Sequence, residues 1–276
     1  MPFDANFEID VSLRLSEAAY DVANGVPPKL PDGYSKVADI VADTQKLALH
    51  IAAAMPSQQK LFRAMLMEVQ QANIFGLIAR NGNTVAVAFR GTLRPDEWLK
   101  DFDFIHVPYQ AVPNFGHVHQ GFQYVYDSVQ ASVKDGLSKC AGRNQTLITG
   151  HSLGAALTIL CAPDLAINGA SGAVPEVHNL AGPRVAAPDE IPVKSTFAER
   201  FDQTIATCFR IMNHWDIVPS LPPAVALYQH VGTGVGVDGG FTADLVRAHS
   251  LELSYLPGLR HLVPQAARPA HLAATA

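Results

Sequence analysis

The sequence predicts an α/β protein: one mainly parallel central sheet with helices on both faces, preceded by an N-terminal helix and a β-hairpin. Three observations predict it. From about residue 122 onward, short apolar runs of strand length alternate with helical stretches, as the crossover connections between parallel strands require. The 276 residues are 48% hydrophobic and 16% charged, enough apolar material for one large core. No internal repeat divides the chain into stacked units.

Each element follows from local pattern. Leu13 to Ala23 places Leu13, Ala18, Ala19 and Val22 at helical spacing, and Asn24-Gly25 followed by Pro27-Pro28 stops it. A polar, Pro-rich connection leads to Asn73. Ile74 to Ile78 and Val85 to Phe89 flank Asn81-Gly82-Asn83, which reads as a hairpin. A helix is expected from Phe122 to Leu137, a strand at Thr146 to Thr149 and a helix from Leu153. A strand near Val177 to Ala181, a helix over Thr196 to Thr204 and a strand over Thr207 to Met212 continue the alternation, with a further possible strand at Val225 to Val231. All of this fits a single domain over residues 1–262, with an Ala-rich tail at 263–276 that the fold can dispense with.

Bulk properties narrow the function. A net charge of −5 without long like-charge runs leaves no footprint for nucleic acid. The longest apolar stretch, Leu153 to Ala162, stops at Pro163, short of the roughly 20 residues a membrane span needs. The first thirty residues lack a basic stretch followed by an apolar one, so the expectation is a soluble chain, cytoplasmic or a mature secreted form. Cys140, Cys161 and Cys208 suit neither a disulfide framework nor a zinc site.

The chemistry centres on Gly150-His151-Ser152-Leu153-Gly154, between an expected strand and an expected helix. A serine at so tight a turn stands above the carboxyl edge of the sheet, and glycines two residues to either side remove the Cβ atoms that would clash. Ser152 is thus the candidate nucleophile, and the backbone N–H of Leu153 a donor to the oxyanion its attack would create. Such a serine needs a base, and the base a carboxylate. The candidates downstream are Asp164, Asp189, Asp202, Asp216, Asp238 and Asp244, with His178, His214, His230, His249, His261 and His271. Asp216, just past the strand ending at Met212, is the best-placed acid, because loops at strand ends carry function. His249 lies far enough downstream for the chain to return over the sheet, and His230 is not eliminated by spacing. Gly234 to Gly239 formally matches G-x-G-x-x-G, but too little chain follows for a dinucleotide-binding half, so a flexible glycine-rich connection is expected there.

Seven motifs in order, VAVAFRGT (85–92), EWLKDFDF (97–104), VHQGF (118–122), ITGHSLGAAL (148–157), NLAGPRV (179–185), NHWDIVPSLPP (213–223) and HSLELSY (249–255), resemble the class 3 lipase family of α/β hydrolases. The resemblance implies the α/β-hydrolase fold, with Ser152 as nucleophile, Asp216 as acid and His249, rather than His230, as base. It also implies Thr92 as second oxyanion donor, and a lid segment including Leu93, Trp98, Leu99 and Phe102 that could meet a lipid–water interface. His119, in the His117-Val118-His119 pair, and His151 are expected to be structural. No cofactor or metal is implied. The expected activity is serine ester hydrolysis on acylglycerols or other fatty-acyl esters. A short-chain or feruloyl-type esterase is the alternative, and a non-catalytic lipase-like interaction protein is the reading of another class.

Overall fold

The computed structural model describes residues 2–53, 72–92, 105–169, 174–189 and 195–264. The tentative lid residues Leu93, Trp98, Leu99 and Phe102, and the tail from residue 265, lie outside the described residues.

A helical turn Ala5–Phe7 and a π-helical turn Glu8–Ser12 lead into α1 (Leu13–Ala23). Then come β1 (Ser35–Val41), α2 (Thr44–Ala53), β2 (Ile74–Asn81) and β3 (Thr84–Phe89). β4 (His106–Pro108), β5 (His117–His119) and α3 (Gln120–Ser138) follow, then β6 (Gln145–His151), α4 (Leu153–Asn168) and β7 (Glu176–Leu180). The remainder is β8 (Ala186–Ala187), α5 (Thr196–Thr204), β9 (Cys208–Asn213), β10 (Thr233–Val237), α6 (Leu245–Ala248), a π-helical turn Leu251–Tyr255 and α7 (Leu256–Leu262).

Seven strands form one sheet in the order β1-β2-β3-β6-β7-β9-β10, and β4-β5-β8 make a small second sheet. β1–β2 and β2–β3 pair antiparallel, whereas β3–β6, β6–β7, β7–β9 and β9–β10 pair parallel. The sheet is mainly parallel, as the alternation of elements predicts. Its inner strands β2, β3, β6 and β7 are buried on both faces, and strand alternation sorts the two. Leu77, Ala79, Ala86, Ala88 and Leu147 meet Leu15, Ala18, Ala19 and Val22 of α1. Ile78, Val85, Val87, Phe89 and Ile148 point the other way, into the main core with α3 and α4. Alanines on both sides let α1 lie close against β3, and Leu13 joins Leu180, Ile211, Val237 and Leu259 of the C-terminal segment.

Two expectations fail. The glycine-rich stretch is not a flexible connection: Thr233 to Val237 is the edge strand, paired parallel with Phe209 to Asn213. Its glycines leave space for side chains of β9 and its loop, since a Cβ on Gly236 would lie 2.8 Å from His214 Nε2 and one on Gly234 3.0 Å from Met212 Cε. The strand expected at Val225 to Val231 is instead a 3-10 turn, Ala224–Ala226, and an isolated bridge from Gln229 to Ala186. Pro163 does not end the helix, which continues to Asn168. Burial outweighs the lost backbone bond: Asp164 is fully buried and accepts from Tyr126 Oη and Gln130 Nε2, both at 2.8 Å, with Lys134 at 3.0 Å. β1 and α2 occupy what reads as mere connection, because β1 is an edge strand with only Ile40 buried.

Candidate active site

Ser152 sits between β6 and α4 with φ 60° and ψ −124°, a left-handed conformation costly for a side chain other than glycine. Its flanking glycines are required by contact. A Cβ on Gly150 would lie 2.5 Å from the Gly154 carbonyl oxygen, and one on Gly154 2.4 Å from that of Phe89. Gly91, before Thr92, is pressed against the same turn: a Cβ there would lie 2.4 Å from Tyr20 Oη and 2.7 Å from Ser152 Cβ.

The loop after β9 brings Asp216 to His249, which C-caps α6. His249 Nδ1 donates to Asp216 Oδ2 at 2.7 Å, so in the neutral ring Nε2 carries the free lone pair. Tyr255 Oη donates to the same Oδ2 at 2.7 Å, and the Val218 N–H donates to Oδ1 at 3.0 Å. Burial first, then the Asp216 charge, pushes the Tyr255 hydroxyl well above its ordinary value, so it stays a donor. Asp216 and His249 are each only 6% exposed, which shields this pairing from water.

Competing residues are engaged elsewhere. His230 Nε2 donates to the Pro219 carbonyl at 2.8 Å, and burial, followed by Arg210, lowers its pKa to about 3. His178 pairs with buried Glu8 at 2.5 Å, Asp202 accepts from the Gly232 N–H, Asp238 from Trp215 Nε1, and Asp244 caps α6. His119 N-caps α3 by accepting from the Gly121 N–H at 3.1 Å, and His117 pairs with Asp189.

His151 braces the site. Its Nε2 lies 2.8 Å from the His249 carbonyl oxygen, which can only accept, so Nε2 holds the proton and Nδ1 accepts from Tyr20 Oη at 2.8 Å. Burial, then the neighbouring His249, holds its pKa well below the ordinary value and keeps the ring neutral. On the other side, buried Arg90 donates to the carbonyls of Gly91, Ile74 and Ala72 and lies over the Phe75 ring. The Gly91 carbonyl and the Thr92 N–H belong to one trans peptide, so pinning the oxygen aims the amide the opposite way.

Ser152, Thr92 and His249 all line one cavity of about 510 Å³. Ser152 Oγ and His249 Nε2 are buried there without a hydrogen-bond partner, so they are not bonded to each other; such bonds often close only around substrate. Tyr20, Tyr255 and Arg90 were not among the expected site residues. Arg90, inside the FRGT motif, and Tyr255, at the end of HSLELSY, carried a sequence signal, whereas Tyr20 did not.

The model of the class 3 lipases matches residues 86–226, slightly more than half the chain. The chain belongs to the class 3 lipase family. It is 31% identical over 223 residues to phospholipase A1-II 6 of Oryza sativa subsp. japonica, covering 67% of this chain and 52% of that one. To the lipase of Rhizomucor miehei it is 34% identical over 164 residues, covering 56% and 43%. The chain thus spans about half the length of the curated relatives it matches. Among solved structures, a triacylglycerol lipase with a serine-protease triad at its catalytic centre superposes with a TM-score of 0.62 at 24% identity, covering 84% of this chain and 80% of that one. That likeness is one of fold, the α/β-hydrolase fold.

Proposed function

We infer that this class 3 lipase is a serine carboxylic-ester hydrolase cleaving fatty-acyl esters through an acyl-enzyme on Ser152. The observation that carries the reading is the buried His249–Asp216 hydrogen bond, whose free imidazole nitrogen shares a cavity with a strained, unpartnered serine. Among the chain's relatives are a lipase and a phospholipase A1, both named for lipid-ester hydrolysis.

In the proposed mechanism His249 Nε2 takes the Ser152 proton as Oγ attacks the ester carbonyl carbon. Asp216 holds the ring and stabilises the imidazolium. The N–H groups of Leu153 and Thr92 receive the developing oxyanion, the first at the start of α4 where helix N–H groups are free. The carbon–oxygen bond to the alcohol breaks and His249 gives its proton to the leaving oxygen. Water then attacks the acyl carbon, loses a proton to His249, and Ser152 leaves as alkoxide to recover that proton, releasing the fatty acid. Exposed Trp215, Ile217, Phe241, Leu245 and Val246, around the loops bearing Asp216 and His249, support transient contact with a lipid–water interface. No helix among the described residues is long and apolar enough to cross a membrane.

Hydrolysis of p-nitrophenyl esters from acetyl to palmitoyl tests this reading. Wild type should turn over fatty-acyl esters, and Ser152→Ala should lose at least 1,000-fold in kcat, as roughly expected for loss of a nucleophile. Equal rates in the two proteins would place the chemistry elsewhere or make the chain a non-catalytic relative.

A further inference from the structure

Among the described residues, five charged side chains line the Ser152 cavity. α1 turns its apolar positions, Leu15, Ala18, Ala19 and Val22, to the sheet, while Arg14, Glu17 and Asp21, spaced three and four apart, line the cavity with Tyr20. Lys29 joins them from the connection after α1, where its backbone N–H donates to Asp21 Oδ2 at 3.1 Å, and Glu252 lines the cavity from beyond His249. Two cations and three carboxylates therefore border the space where an ester bound to Ser152 would place its alcohol or acyl part. Among the described residues, Val246 and Leu251 are the aliphatic members of that lining.

An acylglycerol brings ester oxygens and, in its partial esters, a neutral hydroxyl, so it offers these five side chains no charge to pair with. A glycerophospholipid carries a phosphodiester within three carbons of its scissile ester oxygen and, in its zwitterionic forms, an ammonium beyond it. Such a headgroup supplies both signs. The guanidinium fork of Arg14 suits phosphate oxygens and Lys29 adds a second cation. Arg14 is held by Glu17 at 2.8 Å, but their side chains are 40% and 29% exposed, and so open a pair is weak enough to exchange partners. The ammonium would then face Glu17, Asp21 or Glu252.

We propose that Arg14 and Lys29, with Glu17, Asp21 and Glu252, form a headgroup subsite that makes zwitterionic glycerophospholipid the preferred ester of the Ser152 site. This rests on the ester-hydrolase reading. Its test compares monomeric dihexanoyl phosphatidylcholine with dihexanoylglycerol, which share acyl chains and differ in the headgroup, using wild type, Ser152→Ala and Arg14→Gln/Lys29→Gln. The ratio of kcat/KM for phospholipid over diacylglycerol should exceed ten in wild type. It should fall at least tenfold in the double variant, through KM, and lose most of its dependence on salt. If the double variant fails to fold, Lys29→Gln alone, on an exposed residue, should lower the same ratio at least threefold. Ser152-dependent hydrolysis favouring diacylglycerol, or a ratio unmoved by the substitutions, overturns the subsite and leaves the hydrolase reading standing. No Ser152-dependent hydrolysis of either ester overturns both.

Discussion

Asp216 receives three donors, two on one oxygen, and this fixes its lone pairs and the plane of the His249 ring together. The consequences separate by residue. Asp216→Asn should lower kcat by roughly 1,000- to 10,000-fold, because the amide offers the wrong partner to the Nδ1 proton. Tyr255→Phe removes a single hydrogen bond to a charged acceptor, about 1.5 kcal/mol, and should lower kcat by roughly tenfold with KM unchanged. Steady-state rates on one soluble ester check both, and a Tyr255→Phe enzyme as inactive as Asp216→Asn would mean that the tyrosine does more than hold the carboxylate. Ser152 and Asp216 were legible in the sequence because each lies in a motif just past a strand, whereas His249, at the C-cap of α6, was separated from His230 only by the family resemblance. Tyr20 was not legible, since 131 positions separate it from His151 and no spacing rule connects a surface helix to a distant turn.

At the scale of elements, the turn from β6 into α4 stores strain that its neighbours contain. Gly154 lets α4 start against the carbonyls of Phe89 and Arg90, where a Cβ would lie 2.4 and 2.5 Å away. Gly154→Ala should therefore cost about 1–3 kcal/mol of stability and displace the turn, visible as a lowered urea midpoint together with a loss of activity beyond it. An alanine variant as stable and active as wild type would show that the contact yields freely. This turn was legible because its glycines fall two residues either side of a serine after an apolar run. β10 was not: glycines usually weaken a strand, and only the side chains of β9 and its loop overlying them explain their presence.

The whole molecule ties its N-terminal helix to the part of the sheet that carries Ser152. Ser16 Oγ meets Thr149 Oγ1 at 3.1 Å, Tyr20 meets His151, and α1 covers one face of the sheet while its charged side lines the cavity. One buried and one half-buried histidine couple this assembly to pH. His151 and His230 both resist protonation in the folded state, His230 down to about 3, while unfolded histidine takes its proton near 6.5. Above that pH both states are neutral and stability is intact. As pH falls below about 6.5 the unfolded chain binds protons that the folded one refuses, so stability declines toward pH 3. His230→Gln, which can still donate to the Pro219 carbonyl, should recover about 2 kcal/mol of the difference in unfolding free energy between pH 7 and pH 4.5. Denaturant titrations at the two pH values measure it, and an identical loss in variant and wild type would remove His230 as a cause.

The central claim is that Ser152 is a nucleophile armed by His249. Intact mass and peptide mapping after treatment with a fluorophosphonate test it most directly. The account predicts one adduct per chain, on Ser152, absent in Ser152→Ala and formed at least 100-fold more slowly in His249→Ala. An adduct on another residue, or no adduct on the folded wild-type protein, would contradict it.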